Sequence, residues 1–224
     1  MSAVATVVSA RTASRRLPGK ALLELGGVPM LQFLLERLGA TRRGGRIIFV
    51  TTQRADDDAL AGHVASLGVP VFRGADADVA GRYLAAAKEF GVEWIVRVTG
   101  DCPFVDAASL DYCLEQWRPA DGADLVSTKG VFPVGIDYEL FSTALLEREW
   151  PKMSDEEKEH LTLRFYRSEL GFLVRRFERP PSWPVVSRTY LVDTPADYAK
   201  ARALANCFPD RRFSLADLLE LPDV

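Results

Sequence analysis

Residues 3–20 read AVATVVSARTASRRLPGK. The run Ala3–Ser9 is short, apolar and β-branched, as a strand buried on both faces is. Its carboxyl end opens into a loop holding Arg11, Arg15, Arg16 and Lys20, with Pro18 and Gly19 shaping the turn. Four cations so close together repel one another unless an anion sits among them. The segment VPMLQFLLERLG that follows (28–39) reads as a helix, with Pro29 near its first position, Met30, Leu34, Leu35 and Leu38 on one face, and Gly39 at its end. Strand, charged loop and helix make the first unit.

The unit repeats along the chain. RIIFVTT (46–52) carries a strand signal, ADDDALAGHVASLG (55–68) a helix, VPVFRG (69–74) a strand, and DVAGRYLAAAKEFG (78–91) a helix with Val79, Tyr83, Ala87 and Phe90 at helical spacing. Alternating β and α segments predict a parallel sheet covered by helices. VEWIVRVTGDCPFVD (92–106) is almost continuously apolar, as a central parallel strand is, and it ends at Thr99, Gly100, Asp101, Cys102 and Pro103. Open α/β sheets bind ligands beyond the carboxyl ends of their strands, so the basic and acidic loops are expected to face one cavity.

The second half is less regular. VGIDYELFS (134–142) resembles a strand, SDEEKEHLTLRFYRS (154–168) a helix opened by a capping box from Ser154 to Glu157, and RPPSWP (179–184) a turn-rich stretch. RTYLVDTPADYAKARALANC (188–207) reads as a strand, then a helix with Thr194 as N-cap, Pro195 in its first turn and Asp197 closing the box. Asp193 therefore stands at a strand end as well.

Composition narrows the function. The chain has 224 residues, 48% hydrophobic and 26% charged, enough for one domain with a full core. A formal net charge of −3 gives no general attraction for nucleic acid or an acidic membrane, so any positive site is local. No apolar run is long enough to span a bilayer, and AVATVV lacks the basic start of a signal peptide, so a cytoplasmic location is expected. Cys102, Cys113 and Cys207 are far apart, and neither His63 nor His160 joins them in zinc spacing.

A loop between the first strand and first helix that presents cations suits a triphosphate. A Walker loop is excluded, because Ala21 follows Lys20 where Ser or Thr is needed and no glycine stands five residues before Gly19; GxGxxG is absent too. The segment ARTASRRLPGK (10–20), continued by LLELGGVPMLQFLLERL, resembles the signature of the cytidylyltransferases that make CMP-activated sugar acids, the Kdo and acylneuraminate enzymes among them. RVTGDCPFVD and YLVDTPADY resemble two further landmarks of that family, and the TGDCP form is most similar to the spore coat polysaccharide biosynthesis protein F type. The resemblance spans nearly the whole chain.

The resemblance implies a single three-layer α/β/α nucleotidyltransferase domain over 1–224 with a mostly parallel, Rossmann-like sheet. Residues of about 130–185 would form a small irregular insertion on the acceptor and dimer side. It implies that Arg11, Arg16 and Lys20 hold the phosphates of CTP, with Ser14 and the Ala10 backbone near the nucleotide, and that Asp101 and Asp193 hold Mg²⁺. Arg11, Lys20 and Asp101 would be catalytic. Arg73, Arg82 and Thr99 match nucleotide-pocket positions, whereas Arg15 reads as a surface residue. On the acceptor side PVGIDYELF (133–141) fits the family pattern at Asp137 and Glu139, but Val134 replaces an aspartate, and KEHLT places Glu159 and His160 near the same pocket. On a strand, Asp137 and Glu139 would share a face.

The leading expectation is Mg²⁺-dependent transfer of CMP from CTP to a sugar acid by a homodimer. The same chemistry on a small phosphonate, phosphorylated polyol or phosphorylated amino acid is the alternative. A nucleotide-sugar glycosyltransferase would usually show DxD where this chain has Asp101-Cys102-Pro103. A noncatalytic nucleotide-binding protein would not need Arg11, Lys20, Asp101 and Asp193 together.

Overall fold

The computed structural model describes residues 3–183 and 188–221. Seventeen elements follow in chain order: β1 Val4–Ser9, β2 Glu24–Leu25, β3 Val28–Pro29, α1 Met30–Leu38, β4 Arg46–Thr52, α2 Asp58–Ser66, β5 Val71–Gly74, α3 Val79–Glu89 and β6 Trp94–Thr99 come first, then α4 Ala107–Gln116, β7 Leu125–Ser127, β8 Glu139–Ser142, α5 Thr143–Glu149, α6 Asp155–Glu159, β9 Val174–Arg176, α7 Pro195–Asn206 and α8 Leu215–Glu220. Seven strands form one sheet in the order β5-β4-β1-β6-β8-β7-β9, and β2 pairs with β3 in a separate hairpin. The pairs β5–β4, β4–β1 and β1–β6 are parallel, as alternation of β and α requires. β8 runs antiparallel to both β6 and β7, so the sheet is mostly parallel with one reversed strand.

Side chains alternate across the sheet and build two cores. Val8, Phe49, Val96, Val98 and Leu140 pack under α1, α2, α4, α7 and α8, whereas Ala5, Val7, Ile48, Val50, Ile95 and Phe141 pack under α3 and α5 and against Phe165. The layers are therefore helix, sheet, helix. Alternation also assigns Arg97, Glu139 and Ser127 to the second face, and their strands hold them in one cross-strand row. No helix among the described residues is long and apolar enough to cross a membrane.

The second half departs from the sequence reading in three places. The strand expected from 134 begins only at Glu139, because Gly135 has φ +89° and turns the chain before it. The helix expected over 154–168 keeps its capping box but stops at Glu159; His160 leaves helical geometry at φ −103°, ψ 62°, and its carbonyl accepts from Leu163 N at 2.7 Å to start a 3₁₀ turn. The segment 188–193 is extended without entering the sheet, held instead by Tyr190 N to Val134 O at 2.7 Å and Val192 N to Asp101 O at 2.9 Å. Thr194 and Asp197 form the expected capping box of α7. The last residue of the turn-rich stretch, Pro184, and residue 185 of the expected insertion lie outside the described residues.

Candidate active site at the carboxyl edge of the sheet

β1 and β6 are adjacent and parallel, with Ser9 opposite Thr99, so their carboxyl ends release the basic loop and the acidic loop side by side. The bond from Val192 N to Asp101 O ties the extended segment before α7 to the acidic loop. Three pieces of sequence far apart in the chain thus meet. Lys20 Nζ donates to Asp101 Oδ2 at 3.0 Å, to Asp193 Oδ1 at 3.1 Å and to Val192 O at 3.0 Å. Its side chain is 12% exposed, which strengthens attraction relative to bulk water.

The other loop cations have partners too. Arg16 pairs with Asp193, while Arg11 reaches Asp76 Oδ1 at 3.0 Å and Glu159 Oε1 at 3.3 Å. These carboxylates offset internally the repulsion expected from the sequence. Arg15 is exposed at the mouth. The loop holds its shape through Gly19, whose φ of +67° favours glycine, and whose N–H donates to Thr12 O at 3.0 Å.

Asp57, which no local sequence pattern singles out, anchors this loop. It is buried and accepts from Thr12 N at 2.7 Å, Thr12 Oγ1 at 2.6 Å, Thr52 N at 3.3 Å and Thr52 Oγ1. Burial opposes its charge, but the hydrogen bonds from Thr12 and Thr52 outweigh burial and hold its pKa below the ordinary value.

These loops line a cavity of about 550 Å³ with Ser9, Ala10, Arg11, Ser14, Arg16 and Lys20 from β1 and its loop, Arg82 from α3, Arg97, Thr99 and Asp101 from β6 and its loop, and Glu159, His160 and Asp193. That volume suits a ligand of nucleotide size. Arg82 on α3 is buried and donates to Asp76 O at 2.8 Å and to Ala75 O, which turns it toward the loop after β5. Cys102 is no candidate nucleophile, because burial and then the nearby Asp101 and Asp137 charges push its thiol pKa well up.

Arg73 does not line the cavity. It donates to Thr52 O and Arg54 O, both at 2.8 Å, and pairs with Asp58 at 2.7 Å, bracing β4 against the start of α2. Asp137 and Glu139 do not share a strand face, since Asp137 precedes β8 and accepts from Gly135 N at 2.9 Å. Glu139 is fully buried, and both its oxygens are taken: Arg97 Nη1 at 2.6 Å and Thr162 Oγ1 at 3.1 Å on one, Lys129 Nζ at 2.8 Å and Tyr166 OH at 2.8 Å on the other. Burial opposes its charge, yet Arg97 and Lys129 keep its pKa below the usual range. It has no acceptor capacity left for a ligand and acts through the cations it holds.

Two carboxylates meeting at one cation offer hard oxygen donors of the kind Mg²⁺ takes alongside phosphate oxygens and water. Among the described residues no third His, Cys, Asp or Glu completes a metal-binding group, so the protein supplies two ligands at most from this pair. The donor set fits a cation shared with a bound anion.

Residues 5–205 match the family model described as cytidylyltransferase. The spore coat polysaccharide biosynthesis protein SpsF of Bacillus subtilis is 29% identical over 91% of this chain and 87% of its own. A 3-deoxy-manno-octulosonate cytidylyltransferase of Geobacter sulfurreducens is 34% identical over a shorter stretch, 48% of this chain and 42% of that one. Among solved structures, a cytidylyltransferase from Leptospira borgpetersenii superposes with a TM-score of 0.91 at 30% identity, covering 98% of this chain and 93% of that one.

Proposed function

The chain belongs to the cytidylyltransferase family, and on that premise we propose that it transfers CMP from CTP to a small anionic acceptor, a sugar acid of the Kdo or nonulosonic kind, with release of pyrophosphate. The observation that carries this reading is the junction of Lys20 with Asp101 and Asp193 at the mouth of a cation-lined cavity. The acceptor class follows from relatives named for Kdo transfer and for spore coat polysaccharide.

In the proposed reaction an acceptor oxygen attacks the α-phosphorus of CTP, the new P–O bond forms as the bond to the bridging α,β-oxygen breaks, and pyrophosphate leaves with that electron pair. Negative charge grows on the leaving group, and Arg11, Arg16 and Lys20 are placed to exchange their carboxylate partners for its oxygens. Cations already aligned need little reorganisation when charge develops. Ser14 and the Ala10 backbone would face the nucleotide, as would Arg82 and Thr99 of the same cavity. Asp101 and Asp193 would hold Mg²⁺, which when bound offsets the charge of CTP and acceptor.

A sugar hydroxyl must lose a proton as it attacks, and exposed His160 at the cavity edge is the proposed base. A phosphonate or carboxylate nucleophile would need none. A homodimer is proposed from the irregular second half, where β9 leaves the sheet with an open edge.

Pyrophosphate release from each of the four triphosphates with Mg²⁺, against sugar acids, phosphonates and phosphorylated small molecules, tests the reading. CTP-dependent release with a sugar acid is expected. Release with a phosphonate alone would move the acceptor class, and failure to bind any triphosphate, or full turnover by Asp101→Ala, would overturn the reading.

A further inference from the structure

One strong cation in the cavity is not part of the nucleotide loop. Arg97 stands in the middle of β6, on the same face as Thr99 and about 7 Å deeper along the strand. An arginine is costly in so apolar a strand, and its cross-strand neighbour Glu139 offsets part of that cost. The row continues to Ser127 on β7, and Tyr166 OH ties it together, donating to Glu139 Oε1 at 2.8 Å and accepting from Ser127 Oγ at 2.7 Å.

Charge within this row does not balance. Glu139 is fully buried between two cations, Arg97 and Lys129, and its four donors exhaust its oxygens. Arg97 spends only Nη1 on it. Nε is buried with no hydrogen-bond partner among the described residues, and Nη2, which lies on the same edge of the guanidinium, makes no hydrogen bond to them either. Nη2 is thus the end of the guanidinium left open to the cavity, able to give an oxyanion charge-assisted hydrogen bonds. The side chain is 17% exposed, and it lines the cavity.

We propose that Arg97, fixed by Glu139, is the receptor for the acceptor's own anionic group, and so selects acceptors that carry an oxyanion next to the attacking oxygen. The inference rests on the reading above and sharpens it. Arg11, Arg16 and Lys20 come from the loop after β1 and meet Asp76, Glu159, Asp101 and Asp193, whereas Arg97 stands on β6 itself and meets Glu139. Arg97 and Asp101 line one cavity, the first on β6 and the second in the loop that follows it. An acceptor whose oxyanion sits on Arg97 therefore presents an adjacent oxygen toward Asp101 and the α-phosphate. A carboxylate and a phosphonate share the needed chemistry.

The test compares wild type with Arg97→Lys and Arg97→Gln. CTP affinity is measured by calorimetry, and acceptor KM by pyrophosphate release with Kdo, N-acetylneuraminate, 2-hydroxyethylphosphonate and a neutral hexose. For wild type the anionic probes that react mark the source: sugar acids mean a carboxylate, the phosphonate means a phosphonate. Arg97→Gln should raise the KM of the preferred probe by about 10- to 100-fold, with CTP affinity within about twofold of wild type. Arg97→Lys should recover part of the loss, because it keeps the charge without the planar guanidinium. Because Arg97→Gln leaves Glu139 with one cation fewer, the double variant Arg97→Gln/Glu139→Gln serves as a second version, with CTP binding reporting the intact fold. An unchanged acceptor KM, an equal loss of CTP affinity, or equal use of the neutral hexose by wild type would overturn the inference. Wild type that binds no CTP would instead overturn the reading beneath it.

Discussion

Lys20 Nζ lies 3.0 Å from Asp101 Oδ2 and 3.1 Å from Asp193 Oδ1, so one lysine joins two carboxylates that are 92 residues apart by number (193 − 101). The same three groups are proposed to hold phosphate and metal during turnover. An ammonium and a divalent cation would not both fit between the two carboxylates, so on the proposed reading Lys20 would turn to the phosphates when Asp101 and Asp193 hold a metal. Nucleotide and metal are then expected to bind with positive cooperativity.

Lys20→Met separates these roles. Turnover should fall on the order of 10², as for removal of other single electrostatic stabilisers. Binding of Mn²⁺ in the absence of nucleotide, followed by electron paramagnetic resonance, should become tighter, because the carboxylates lose their internal cation. Unchanged or weaker Mn²⁺ binding would mean that the lysine does not compete for that place.

Asp57→Asn tests how the loop is held. The amide is isosteric but offers one good acceptor atom where the carboxylate serves Thr12 and Thr52 with two. A stability loss of about 1–3 kcal/mol is expected by denaturant titration. CTP affinity should fall several-fold, since Thr12 sits next to Arg11 in the loop. A variant that loses stability but binds CTP normally would confine Asp57 to a packing role.

The parts of the fold and site that were legible in the sequence share a physical cause. Continuous β-branched runs such as Val4–Ser9 and Trp94–Thr99 have no other stable home than the middle of a parallel sheet. Their carboxyl ends then bring Lys20 and Asp101 together by topology alone. Asp57 was not legible because it belongs to the run Asp56–Asp58, where nothing local separates a buried anchor from the acidic start of a helix. Arg97 carries its own signal, a lone charge inside an apolar strand, and Glu139 carries the matching one. The second half was harder because its form depends on contacts made elsewhere, as where the segment before Asp193 hangs on Val134 O and Asp101 O.

Gly135 supports that segment and yields the next prediction. Its φ is +89°, and a Cβ there would lie 2.0 Å from Leu191 N and 2.3 Å from Tyr190 C. Backbone cannot swing aside as a flexible side chain can. Gly135→Ala should therefore push residues 190–193 away from the acidic loop and separate Asp193 from Lys20. Turnover is expected to fall more than stability, with a thermal midpoint lowered by several degrees, consistent with about 1–3 kcal/mol of strain. Wild-type activity in that variant would show that Asp193 need not stay where the Val134 contact holds it.

Acid sensitivity should begin in the second half of the chain, at Glu149. Burial works against its charge, but hydrogen bonds from Arg148, Lys152 and Arg164 prevail, and its pKa is lowered from 4.5 to about 2. The folded-state value lies below the unfolded one, so the unfolded chain binds the proton more readily between them. The stabilisation is complete above about pH 4.5 and disappears as pH falls toward 2. What it secures is the turn after α5, where Trp150 Nε1 donates to Asp78 Oδ2 at 3.0 Å, and Asp78 in turn caps the helix that carries Arg82. Glu149→Gln should therefore be less stable than wild type at pH 7, with the gap narrowing steadily below pH 4.5 in denaturant titrations repeated across that range. A gap that stays constant with pH would assign the contribution of Glu149 to packing and take its three cationic partners out of the account.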